Sequence, residues 1–133
     1  MRVDAKHVLV WLVVGSLAVA DEPRPLAPLP DRNGVASPFA GVAGGALVVA
    51  GGANFPGKKP WEGGTKVWHD AVYLLDRPDG AWKVAGKLPR PLAYGISATH
   101  RDRVICVGGS DKAGHYADAF TIRRTDDSVE LAP

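Results

Sequence analysis

One pattern occurs twice in this chain, and it limits the folds open to it. Leu47-Val48-Val49-Ala50-Gly51-Gly52 is a short apolar run closed by two glycines, and Val104-Ile105-Cys106-Val107-Gly108-Gly109 repeats it 57 residues later. A stretch rich in small residues precedes each copy, at 34–41 and 94–99. An acidic residue opening another apolar run follows each, from Asp70 to Leu75 and from Asp118 to Ile122. A polar turn and a fourth short run complete both units, at 82–85 and 128–131. The gap from Gly52 to Asp70 is 18 residues and that from Gly109 to Asp118 is 9, so the first unit carries an insertion. Without it the period is about 48 residues, within the range of repeat architectures.

Units of four short strands at that period predict an all-β fold of kelch-type β-propeller blades, two four-stranded antiparallel blades with almost no helix. A small eight-stranded sandwich is the competing architecture. Sixteen glycines and 11 prolines in 133 residues suit a turn-rich β protein better than a helical bundle. The paired glycines make sense at a strand end, where they permit positive φ and close approach of a neighbouring blade.

The boundaries follow. Residues 1–20 predict a signal peptide: Arg2 and Lys6 make a basic start, 8–20 carry no charge, and Ala18-Val19-Ala20 is a small-x-small cleavage site. The apolar run is too short to span a bilayer, so no membrane association is expected after cleavage, and the location expected is periplasmic or secreted. Residues 21–32 are a Pro-rich lead-in that is neither helix nor central strand. Blade 1 is expected over 33–91, with a long inserted loop at 53–69, and blade 2 over 92–133.

Composition excludes some functions. A net charge of +2 leaves no electrostatic footprint for nucleic acid. One cysteine allows neither an intrachain disulfide nor a cysteine-based zinc cluster. Cys106 lies mid-strand among apolar neighbours and reads as a core residue, and the four histidines lack the spacing of a metal site. No cofactor is expected.

Beyond the glycines, the loops carry a resemblance. Asn33-Gly34, Gly51-Gly52-Ala53-Asn54-Phe55-Pro56, Trp61-Glu62-Gly63-Gly64, Val67-Trp68-His69-Asp70, 87–95 and His115-Tyr116-Ala117-Asp118 together resemble the cyclically permuted mutarotase family, kelch-repeat relatives of bacterial N-acetylneuraminate mutarotase or epimerase, often labelled galactose oxidase-like. The resemblance implies a six-bladed propeller, exported, acting on a free sugar. A copper radical site of the galactose oxidase kind is excluded, because Cys106 is placed as a core residue. Six blades at about 48 residues need roughly 290 residues, so the chain is expected to be a fragment of about two blades. Assembly of three copies into one ring is the alternative.

In such a blade the loop between strands two and three leaves at the same end as the link to the next blade. Loops 53–69 and 110–117 and link 86–93 therefore share one end, which collects Asn54, Trp61, Glu62, Lys66, His69, Arg90, Asp111, Lys112, His115 and Tyr116. Mutarotation needs a base for the anomeric hydroxyl and an acid for the ring oxygen. Glu62, Asp111 and His115 are the catalytic candidates. Arg90 is the candidate for a sugar carboxylate, Trp61 offers a flat face to a sugar, and Asn54 is a further substrate-binding candidate. If the blade carrying the glutamate and arginine proposed for the chemistry of characterised sialate mutarotases corresponds to the second one here, those positions fall on Ser110 and Tyr116. Neither type matches, so no catalytic residue is carried over. Asp70 and Asp118 recur in both units, which predicts a structural role for them and for the adjoining His69. The other function class is a non-enzymatic kelch module for a protein or glycan partner.

Overall fold

The computed structural model describes residues 22–133, so the expected signal segment lies outside the described residues. Blade 1 contains β1 (Phe39–Ala43), β2 (Ala46–Ala50), β5 (Ala71–Leu75) and β6 (Lys83–Lys87), hydrogen-bonded in that order. Between β2 and β5, β3 (Ala53–Asn54) pairs with β4 (Val67–Trp68), and a 3-10 turn at Pro60–Glu62 stands between those two strands. Blade 2 runs β7 (Ile96–His100), β8 (Arg103–Val107), β9 (Ala119–Thr125) and β10 (Ser128–Ala132). Every pairing is antiparallel. Both expected blades are present, and the insertion is an ordered hairpin rather than an open loop.

Alternation along the strands decides what each face does. Ala46, Val48 and Ala50 are buried while Leu47 and Val49 are half-buried, and Val104 and Cys106 of β8 are buried beside half-buried Ile105. Blade 1 thus lays Phe39, Val48, Val72 and Leu74 against Val104, Cys106 and Ile122 of blade 2 in one core. Close approach needs residues without side chains at two points. A Cβ on Gly41 would lie 2.8 Å from Val104, and one on Gly86 would lie 2.8 Å from Val129. Gly51 answers to both reasons for a glycine: its φ is +67°, and a Cβ there would strike the Leu92 carbonyl oxygen.

The inner edge of β1 has no strand partner within its sheet. Blade 2 covers it with hydroxyls. Ser97 Oγ accepts from the Ala40 N–H and donates to the Ala40 carbonyl, both at 2.9 Å, and Thr99 Oγ1 accepts from the Val42 N–H at 2.8 Å. In each case the donor and acceptor residues are 57 apart, so equivalent positions of the two repeats meet across the blade interface. The Pro-rich lead-in also packs onto blade 1, where the Trp82 indole N–H donates to the Ala27 carbonyl at 2.7 Å.

Cys106 is buried, and burial alone pushes its thiol up to about 12. A thiol so placed stays protonated and inaccessible. An aromatic disulfide reagent at pH 8 is therefore expected to leave the folded protein unlabelled and to label it once urea unfolds the chain. Rapid labelling without denaturant would contradict this placement.

Candidate functional site

The loop-rich end is built as the topology requires. The β3–β4 hairpin, the link from β6 to β7 and the loop from β8 to β9 all gather there, while tight turns at 44–45, 77–80, 101–102 and 126–127 occupy the other end. Among the grooves that open on this end, two are lined by Lys66. One, of about 420 Å3, is lined by Asn33, Gly34, Val35, Ala36, Ala53, Asn54, Phe55, Lys59, Pro60, Lys66 and Tyr94. The other, of about 320 Å3, lies among Lys66, Val67, Trp68, Pro91, Asp111, Lys112 and Ala113.

Asn54 sets the wall of the larger groove. It is 8% exposed, and its amide nitrogen donates to Asp31 Oδ2 at 2.9 Å and to the Gly34 carbonyl at 2.8 Å. Its oxygen therefore faces His69 Nε2 at 2.8 Å, which assigns the proton on that ring to Nε2. His69 Nε2 also lies 3.8 Å from Asp31 Oδ2. The Asn33 backbone N–H holds the Asp31 carboxyl below its ordinary value of 3.8; burial opposes this, while the Asn54 amide and His69 add to it. Paired backbone bonds between Ala36 and Ala53, at 2.8 and 3.0 Å, tie the same two segments. Asp31 was placed by sequence in the lead-in. Its only signal was Asp31-Arg32-Asn33-Gly34, a turn in which Asp31 accepts from the backbone N–H of Asn33. His69 has the structural part expected of it, but through Asn54 rather than beside Asp70.

A second cluster forms at blade 2. Asp111 Oδ1 accepts from the N–H groups of Ala113 and Gly114 at 2.7 and 3.2 Å, and the Tyr116 hydroxyl donates to Oδ2 at 2.8 Å. Desolvation acts to raise the carboxyl, but those donors and the nearby Arg90 guanidinium outweigh it and hold Asp111 below its ordinary value. The Arg90 guanidinium carbon sits 4.3 Å from the centre of the Tyr116 ring, and Nη2 lies 3.8 Å from Asp118. Asp111, Arg90 and Tyr116 thus form one unit. His115 immediately precedes Tyr116 but is exposed, and its side chain makes no hydrogen bond among the described residues. Glu62 accepts from the Lys59 backbone N–H at 2.9 Å, closing the 3-10 turn, and Trp61 beside it is 80% exposed. Asp70 and Asp118 contribute backbone acceptors for Leu88 and Gly108 at 2.7 and 2.8 Å, and their carboxylates pair on the surface with Lys87 and Arg90.

Sequence reasoning did not single out Tyr94. Its φ is +66°, a conformation costing a non-glycine residue on the order of 1–2 kcal/mol. Such outliers gather at binding sites. Its ring lies beneath Lys66, whose Nζ is 4.3 Å from the ring centre and 5.2 Å from that of Trp68. The Trp68 indole N–H is buried and has no acceptor among the described residues.

Comparison with known proteins agrees with this architecture. The N-acetylneuraminate epimerase family model matches residues 6–131. An N-acetylneuraminate epimerase of Yersinia pestis (strain Pestoides F) is 41% identical over 101 residues, covering 68% of this chain and 25% of the relative. One from Brucella suis (strain ATCC 23445 / NCTC 10510) is 45% identical over 105 residues, covering 72% of this chain and 26% of the relative. The chain thus spans about a quarter of the length of these curated relatives. The solved structure of YjhT superposes with a TM-score of 0.73 at 29% identity, covering 81% of this chain and 33% of YjhT. With two propeller blades of this kind and a family match over most of its length, the chain belongs to the N-acetylneuraminate epimerase family.

Proposed function

We propose that this chain supplies two blades of an exported propeller that interconverts the anomers of an acidic sugar of the N-acetylneuraminate type. The observation that carries the reading is the 420 Å3 groove at the loop-rich end, which has two lysines and no carboxylate among its lining residues. Its size is that of small-molecule sites. Export to the periplasm or out of the cell rests on the basic, apolar and small-residue order of 1–20.

Ring opening moves one proton from the anomeric hydroxyl and returns one to the ring oxygen. Asp111, held ionised, is suited to accept a proton rather than give one. His115 is exposed and free to turn toward a ligand, and Glu62, in the turn between β3 and β4, is a third candidate. Trp61 remains the proposed contact for a sugar face, whereas Arg90 is engaged with Tyr116 and Asp118. These groups lie in separate clusters, so the two blades alone are expected to be catalytically silent. Trp61 also favours the second reading, a partner-binding module, since exposed tryptophans anchor interfaces.

The test is a chimera in which residues 33–133 replace the matching stretch of the Yersinia pestis relative. Anomer exchange of N-acetylneuraminate, followed by NMR, should run clearly above the buffer rate with the chimera and at the buffer rate with this chain alone. A folded chimera without exchange overturns the mutarotase reading and leaves the binding module. Exchange by this chain alone overturns its silence.

A further inference from the structure

We propose that Lys66 selects the ligand of the larger groove by its carboxylate, making this groove specific for acidic over neutral sugars. The proposal rests on the sugar-processing reading above and assigns it a specificity-determining residue.

Lys66 is a half-buried cation held in place but left without a counter-charge. Its ammonium lies over the faces of Tyr94 and Trp68, at 4.3 and 5.2 Å from the ring centres, and forms no ion pair among the described residues. By contrast, Lys83 and Lys87 on the sheet and Arg90 on the link each face a carboxylate. Aromatic faces orient an ammonium group without neutralising it. The N–H donors of Lys66 are therefore available to an incoming acceptor.

The groove beside it supports an anionic occupant. Lys59 is a second cation in the lining, and none of the lining residues is acidic. Two acids behind the lining are already engaged: Asp31 with Asn33 and Asn54, and Glu62 with the Lys59 backbone N–H. The floor is rigid, because Asn54 and the Ala36–Ala53 backbone pair fix it. Tyr94 keeps an aromatic ring at a left-handed position, φ +66°, where its repeat equivalent Ser37 (φ +50°) has none. The strained backbone thus places a ring under the lysine in one blade only. A carboxylate-bearing sugar in this groove would meet Lys66 with its charge and Tyr94 with an apolar face.

The experiment titrates this chain with N-acetylneuraminate and with its neutral carboxamide, which keeps the shape and removes the charge. The acid should bind about tenfold or more tighter than the amide, the effect of one charge-assisted hydrogen bond. In Lys66→Met that difference should vanish; in Lys66→Arg it should persist. An unaltered urea midpoint shows that Lys66→Met is folded. Equal affinities in the unaltered chain, a difference that survives Lys66→Met, or no binding of the acid would each overturn the proposal. An active chimera whose acid preference ignores Lys66 sinks this proposal alone. Lys66-dependent binding with an inactive chimera sinks only the mutarotase reading.

Discussion

Replacing Phe39 by Ala is expected to lower unfolding stability by about 3–5 kcal/mol, the range for removing a fully buried aromatic ring. Phe39 is 1% exposed and stands where the two blades meet. Its ring meets Phe120 edge-on, with centres 5.4 Å apart and planes at 77°, which adds to the burial. Blade 2 receives it in a slot made by glycines. A Cβ on Gly95 would collide with the ring, and one on Gly109 would lie 3.4 Å from it. Deleting the ring leaves a cavity that rigid strands on both sides cannot close. Urea unfolding followed by tryptophan fluorescence measures the loss. A change below about 1 kcal/mol would show that the blades do not depend on this contact.

The second large effect is expected at Asn54. Asn54→Leu keeps the branching and heavy-atom count of the side chain but removes two donors and one acceptor from a buried position, leaving Asp31, Gly34 and His69 without their partner. A loss of about 2–3 kcal/mol is expected, the cost of stranding polar groups, one of them charged. Amide exchange should rise most at 31–36 and 66–69, the segments that Asn54 joins, and least in β8. Uniform exchange across the chain would refute the idea of a local clasp. The same clasp has a pH dependence. Asp31 has a folded value below its ordinary 3.8, so its stabilisation is full above that ordinary value and is lost as pH falls through the lower folded one. Asn54→Leu should weaken this acid limb, because one of the groups lowering Asp31 is gone.

The blades are legible in the order of residues alone. The recurrence of an apolar run closed by two glycines needs no tertiary information, because strand alternation and turn residues are local properties. It marked both four-stranded units and the end of the molecule that holds the loops. Cys106 was legible for the same reason: an alternating strand with apolar neighbours buries every second residue.

Which of the loop residues meet depends instead on how the two blades pack. Asn54 carried no sign that it would bond Asp31, 23 residues before it, and His69, 15 residues after it. Glu62 read as a candidate acid, yet in the fold its carboxylate closes the turn that contains it. Lys66 stood out only as one of several charged loop residues. Its importance appeared when the link between blades brought Tyr94, 28 positions later in the chain, beneath it in a left-handed conformation. The reason is physical: strand patterns arise from backbone geometry repeated along the chain, whereas a site arises from side chains of distant segments. Their distances are set by how blade 1 packs on blade 2, and no local periodicity records that packing.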